Sequence, residues 1–249
     1  MQQFKVLETV VHYEDNATIL EKIWSATKNR AKFLHIVSIN PEILVQASTD
    51  TAFNQAIAAS QTHIVDGVGV STAIQMLYGV HVERMTGVDL MQKVLREGGE
   101  QGLCIGLIGA QASLAEELAR CYQAKYPQAH YFGTHGFARI SEAKKEEEMA
   151  IFELITIRRP HILFFAFGSP AQEIWIEKHK SQLGGVVCIG VGGAFDMLGG
   201  RVKRAPQWVR ELKLEWLFRL LLQPWRMSRQ MRLITFVKAV IAQRFSDKR

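Results

Sequence analysis

Three cysteines in 249 residues, none in a CxxC pair, are too few for a disulfide framework or a thiolate zinc site. Cys104 and Cys188 sit inside apolar runs, where a thiol behaves as a small hydrophobe; Cys121 completes an odd count. A reducing cytoplasm is therefore the expected compartment. Six prolines, no low-complexity stretch and no internal repeat exclude an extended linker or a solenoid. No uninterrupted apolar run reaches about 18 residues, so no segment is expected to span a membrane. The N-terminus, MQQFKVLETVVHYED, lacks the basic start and apolar stretch of a signal peptide. No DxD triplet occurs, which removes a common carboxylate motif for holding a divalent metal.

Hydrophobic residues make up 48% of the chain and charged residues 22%, a balance that supports a folded core. The charge is unevenly placed. Residues 201–249 hold 13 of the 30 Lys+Arg but only 3 of the 24 Asp+Glu, so a net +6 conceals a mildly acidic body and a strongly basic tail. Such a tail calls for an anionic partner, either membrane or nucleic acid.

Apolar, β-branched runs at Phe33–Ile39, His63–Val65, Leu103–Ile108, His130–Phe132, His161–Ala166 and Val186–Ile189 read as strands. Helical patterns fill Pro41–Ala58, Val70–Tyr78, Gly87–Arg96, Ser113–Lys125, Ser141–Ile157 and Pro170–Ser181. This alternation predicts an α/β fold: a mainly parallel, Rossmann-like sheet with helices on both faces, carrying a basic helical appendage. The expected division is a catalytic domain over residues 1–195 and the appendage over 196–249. In such sheets ligands bind outside the carboxyl ends of the strands, which selects the polar residues to consider.

Ser38 and Asn40 close the first of these strands. Asp66 ends the next and runs into GVGV; it could serve as a general base or cap the helix that follows. In ERMTGVDL, Arg84 suits a phosphate, or pairs at the surface with Glu83 or Asp89, while Thr86 and Asp89 fit a capping box. GLIGA offers Gly109 as a close backbone approach to a phosphate, although tight helix–strand packing explains that glycine equally well. In FGSPAQEIW, Ser169 caps a helix beginning at Pro170, which puts Gln172 and Glu173 on its first turn. Gln172 could meet a sugar hydroxyl or complete a capping box with Ser169. GVGGAFD supplies another glycine-rich turn, with Asp196 as a polar anchor for a ribose or base or as a solvated turn residue. Along the tail, Trp208, Leu212, Trp216 and Leu220 recur every four residues beside Arg210, Lys213 and Arg219. Leu233, Ile234, Val237, Val240 and Ile241 share a helical face further on. A basic amphipathic pair with tryptophans suits an anionic membrane interface; the same apolar face could instead pack on the body or join copies into a homo-oligomer.

In order, VSIN, DGVGV, ERMTGVDL, GLIGA, FGSPAQEIW, GVGGAFDMLGGRVKRAPQWV and LEWLFRLLLQPWR resemble the WecG/TagA/CpsF glycosyltransferases over roughly Ser38–Arg229. The resemblance implies an inverting enzyme that moves a sugar, often of N-acetylmannosamine type, from a UDP-sugar to a polyprenyl-diphosphate-linked acceptor. Wall teichoic acid, surface antigen and exopolysaccharide are the products expected of such enzymes. It implies no cofactor and no metal. Asp66 falls at the family's proposed base, and Ser38 (often Thr there), Asn40, Arg84 and Gln172 fall on active-site positions. The appendage is expected to bind the inner face of the cytoplasmic membrane and complete the site, with Arg219, Arg226 and Arg229 reaching a diphosphate. Two other classes compete. An NAD(P)-dependent oxidoreductase is disfavoured because GLIGA is incomplete, lies mid-chain and lacks an acidic residue about 20 positions on. A nucleic-acid-binding protein is disfavoured because the tail's tryptophans are interleaved with aliphatic residues, as for lipid.

Overall fold

The structure is a computed structural model that describes residues 1–249 other than 31, 112, 138, 213, 224–226 and 247–249. Side chains are described at every one of these positions except 141 and 228–230. The chain opens with β1 (Gln2–Val6), β2 (Thr9–Tyr13), α1 (Asn16–Asn29), β3 (Leu34–Ile39), α2 (Pro41–Ala47), α3 (Thr51–Ala59) and β4 (Thr62–Val65). It continues through α4 (Val68–Tyr78), α5 (Gly87–Glu100), β5 (Cys104–Gly109), α6 (Leu114–Lys125), β6 (His130–Thr134) and α7 (Lys145–Arg158). The last elements are β7 (Ile162–Ala166), α8 (Ala171–Lys178), β8 (Val187–Gly190), α9 (Ala194–Leu198), α10 (Gln207–Glu211), α11 (Glu215–Leu222) and α12 (Met227–Ser246).

The strands form one sheet in the order β1-β2-β4-β3-β8-β7-β5-β6, in which only the β1–β2 pair is antiparallel. Central strands carry apolar residues on both faces, as a sheet covered twice must. On one face Ile36, Ile64, Leu107, Phe164 and Ile189 pack with residues of α1, α5, α6 and α9. On the other, Val37, Val65, Leu163, Phe165 and Cys188 meet α2, α3, α4, α7, α8 and α12. The helix after β3 goes to one face and the helix after its neighbour β8 to the other. A crevice therefore opens between the carboxyl ends of β3 and β8, which is the switch point such sheets use for ligands.

All six predicted strands are present. The β1–β2 hairpin and the 14-residue α1 are additions, although Phe4, Val6 and Val11 alternate along the hairpin and Ile19, Leu20 and Ile23 share one helical face. The helical pattern Pro41–Ala58 divides into α2 and α3, because Asp50 accepts from the Phe53 N–H at 3.0 Å and starts a new helix. Ser169 does not cap α8, which starts at Ala171; its hydroxyl turns instead to Glu173. The four-residue repeat of the tail is divided between α10, which ends at Glu211, and α11, which begins at Glu215, so Trp208 and Trp216 stand on separate short helices.

The long α12 returns to the body. Leu233, Phe236 and Val240 face inward, and Phe236 and Val240 are buried in the core. Arg232 pairs with Glu42 at 2.8 Å, while Gln243 accepts from the Leu7 N–H and donates to the Lys5 carbonyl, each at 2.9 Å. The single apolar face predicted for α12 is thus two. Apolar residues wrap the helix, and only the stripe centred on Phe236 meets the sheet's helices; Met231, Ile234, Val237, Ile241 and Phe245 remain exposed. Among the described residues, no helix is long and apolar enough to cross a membrane.

His35 and His63 lie on one face of adjacent strands β3 and β4, both fully buried. Burial holds each imidazole near a pKa of about 3, so both are neutral in the folded chain. His63 is hydrogen-bonded on both ring nitrogens, whereas neither nitrogen of His35 has a partner among the described residues. An unfolded histidine takes up its proton near pH 6.5, so stability from this source is complete above that pH and falls as the pH drops towards 3. Between pH 7.5 and 5 the loss is about 2 kcal/mol per residue. His35→Phe should therefore lose about 2 kcal/mol less than the unaltered chain over that interval, measured by urea denaturation at both pH values.

Candidate active site

The crevice holds two cavities that share a wall. A glycine-rich cavity of about 310 Å³ is bounded by the turns after β7 and β8, Gly168–Ser169 and Val191–Gly193, with Gln172, Glu173 and Asp196. An apolar-sided cavity of about 260 Å³ is bounded by Pro41, Val68, Val88, Met197, Trp216 and Leu233, with Arg84 at its edge. Asn40, Glu42, Asp66 and Arg219 line both.

Asp66 is held there by local geometry. Its helix, α4, is capped at Gly67 with no side-chain hydrogen bond, so Asp66 does not cap it. A Cβ on Gly67 would lie 2.5 Å from the Pro41 ring, and this close approach of α2 to the turn brings Asn40 beside Asp66. The Asp66 carboxylate oxygen Oδ2 accepts from the Ser38 hydroxyl at 3.0 Å and from the Gly87 N–H, on the first turn of α5, at 3.3 Å. Burial pushes its carboxyl above the ordinary aspartate value; the Gly87 and Ser38 hydrogen bonds, then the Arg84 and Arg219 charges, pull it down. A carboxylate raised in this way is a stronger base than an aspartate in water.

The two arginines reach this point from different directions. Arg84, in the loop before α5, directs Nε and a terminal nitrogen to the Asp66 carbonyl at 3.4 and 3.3 Å. It pairs with neither Glu83, which accepts from the Asn16 N–H at 3.4 Å, nor Asp89, which binds Arg204 at 2.7 Å. Thr86 caps α5 by accepting from the Asp89 N–H at 3.1 Å, but the Asp89 carboxylate meets the Thr86 hydroxyl rather than its N–H, so the predicted capping box is only half formed. Arg204 also lies 3.9 Å from Glu215, which links the start of α5 to α11. Arg219, on α11, overhangs the turn after β8; a Cβ on Gly193 would be 3.7 Å from its guanidinium.

The crevice thus brings together Ser38, Asn40, Asp66, Arg84, Gln172, Asp196 and Arg219. Asn40 also caps α2 by accepting from the Ile43 N–H at 3.0 Å. Gln172 is buried, accepting from the Gly168 N–H at 3.1 Å and donating to Glu173 at 2.7 Å, so its amide is committed to the protein rather than offered to solvent. Gly109 lies outside both cavities: it has φ +111° and a Cβ there would sit 2.8 Å from Ala166, so packing against β7 accounts for it. Arg226 lies outside the described residues, as does the side chain of Arg229. Glu42 and Glu215 are site residues that sequence reasoning did not single out, and Glu173, placed on the first turn of its helix, was given no role. Only the position of Glu42, two residues after Asn40, and of Glu173, beside Gln172, signalled them. Among the described residues, no group of three or more His, Cys, Asp or Glu is placed to hold a metal ion.

Ser38→Ala removes a donor that favours the charged carboxylate. The Asp66 carboxyl should then titrate at higher pH than in the unaltered chain, read from its ¹³C chemical shift; an unmoved titration would show that the hydrogen bond does not set it.

Comparison with known proteins gives the same order of motifs a family. Two curated relatives, from Staphylococcus aureus strains NCTC 8325 / PS 47 and MRSA252, are each 30% identical over 219 residues. Each alignment covers 86% of this chain and 84% of the relative, and each relative is named N-acetylglucosaminyldiphosphoundecaprenol N-acetyl-beta-D-mannosaminyltransferase. Residues 4–249 match the glycosyl transferase WecG/TagA/CpsF family, and the chain belongs to that family.

Proposed function

We propose that this protein transfers an N-acetylmannosamine-type sugar from a UDP-sugar to an N-acetylglucosaminyl-diphosphate-polyprenol, with inversion and without a metal. The observation that carries this reading is the position of Asp66 in the wall common to both cavities. The glycine-rich cavity takes the donor, whose diphosphate meets the backbone of Gly192–Gly193 and the Arg219 guanidinium. The apolar-sided cavity takes the acceptor. Asp66 accepts the proton of the acceptor hydroxyl as that oxygen bonds to C1 of the sugar. The C1–O bond to the diphosphate breaks, and its electron pair leaves with UDP. Arg84 and Arg219 offset the charge that develops on the leaving group, the task a metal performs in other transferases. The lack of a DxD triplet is the ground for proposing metal independence.

The appendage supports a peripheral position on an anionic membrane. Trp208, Leu212, Trp216, Leu221 and Leu222 are exposed, Trp216 also lines the apolar-sided cavity, and α12 exposes Met231, Ile234, Val237, Ile241 and Phe245. A lipid-linked acceptor would then enter from the bilayer.

Incubation with a panel of UDP-sugars and a short-chain lipid-diphosphate-GlcNAc should give acceptor-dependent product from UDP-N-acetylmannosamine, undiminished by EDTA. Asp66→Asn should lower kcat by about 10²–10⁴ while the fold is kept; near-normal transfer would remove the base assignment. Ile234→Glu with Ile241→Glu should abolish sedimentation with phosphatidylglycerol vesicles, and retained sedimentation would place the membrane contact elsewhere.

A further inference from the structure

Glu173 lines the glycine-rich cavity, yet its side chain is withdrawn from solvent, 1% exposed. Its Oε1 accepts from the Ser169 hydroxyl at 2.8 Å and from the Gln172 amide at 2.7 Å. Its Oε2 is buried with no hydrogen-bond partner among the described residues. Because Gln172 also holds the Gly168 N–H, this one carboxyl organises both residues of the Gly168–Ser169 turn. Gly190 of β8 lies directly against it: a Cβ there would be 2.7 Å from Gln172 Nε2 and 3.2 Å from Glu173 Oε1. No side chain of β8 covers the carboxyl–amide pair, so the pair itself forms that part of the cavity wall.

We propose that ionised Glu173 is a positioning residue that holds the Gly168–Ser169 turn in its binding shape, so that donor affinity follows the charge on this carboxyl. The inference rests on the reading of the glycine-rich cavity as the donor site. Both hydrogen bonds to Oε1 are strengthened by the negative charge and weaken when it is neutralised. The charge is nevertheless costly, because Oε2 gains nothing in return for its desolvation. Burial pushes the carboxyl up to about 7, against the opposing pull of Gln172 and Ser169.

The neighbouring elements bring little charge to compensate. Among the described residues, α3 carries no titratable side chain; β3 brings His35, held neutral, and β8 brings Cys188, whose thiol burial pushes far up. Near Ile140–Glu142, Glu142 pairs with Arg139 at the surface. On α8 itself, Glu177 pairs with Lys180, and His179 faces Glu148 of α7. Across the cavity stand Glu42, Asp66, Asp196 and Arg219.

The test is the affinity of the full-length chain for UDP-N-acetylmannosamine by calorimetry at pH 6 and pH 8, where the donor's diphosphate diester keeps one charge state. A carboxyl titrating near 7 is about nine-tenths ionised at pH 8 and one-tenth at pH 6. If only the ionised form binds well, Kd should be about tenfold weaker at pH 6. Glu173→Gln should bind with the weaker affinity at both pH values, which separates this effect from titration of Asp66. Ser169→Ala removes one donor to the carboxylate, so the midpoint of the pH dependence should move upward. That shift carries the test should Glu173→Gln fail to fold. A pH-independent Kd in the unaltered chain, an unchanged slope in Glu173→Gln or an unmoved midpoint in Ser169→Ala would overturn the proposal. No binding of the nucleotide sugar at either pH would overturn the donor reading itself, and the inference with it.

Discussion

A carboxylate at the end of a buried parallel strand must find donors or give up its charge, and the crevice is organised around how Asp66 finds them. The Ser38 hydroxyl reaches it from the neighbouring strand and the Gly87 N–H from the first turn of α5, so one oxygen ties together β3, β4 and the helix on the opposite face. Both contacts depend on backbone placement. Pro41 can lie against the turn after β4 only because Gly67 has no side chain, and Met85 donates to the Val65 carbonyl to bring the Arg84 loop back over the strand end.

Two carboxyls in the same crevice have different surroundings. Asp66 has a helix N-terminus and two arginines to moderate its desolvation; Glu173 has only neutral donors. That contrast separates a group able to exchange a proton with a ligand from one able to hold a turn, without any difference in the chemistry of the side chains.

The tail is joined to the body rather than appended to it. Phe236 and Val240 complete the core on the α2 and α4 side, Arg232 binds Glu42 at the cavity edge, and Arg204 links α5 to α11. Arg219 and Trp216, on α11, line the cavities, and Arg204 ties that helix to α5. The outward stripe of α12 is left with no partner among the described residues.

What the sequence by itself determined is whatever depends on neighbours along the chain. Six strands were legible because apolar, β-branched runs must be buried on both faces, and Ser38, Asn40 and Asp66 were legible because strand ends in such sheets face ligands. The basic tail could be read from composition alone. The division at Asp50 turns on a single cap, and the ends of α10 and α11 on a weak period, that pattern cannot resolve. Gly109 fitted a ligand contact in sequence, but its close approach to Ala166 on the neighbouring strand accounts for it. Only the tertiary structure decided which face of α12 packs inward, that Asp66 binds α5 rather than its own helix, and that Arg204 reaches Asp89. Each is a contact between residues far apart in the chain, and local spacing carries no record of the distance between them in space.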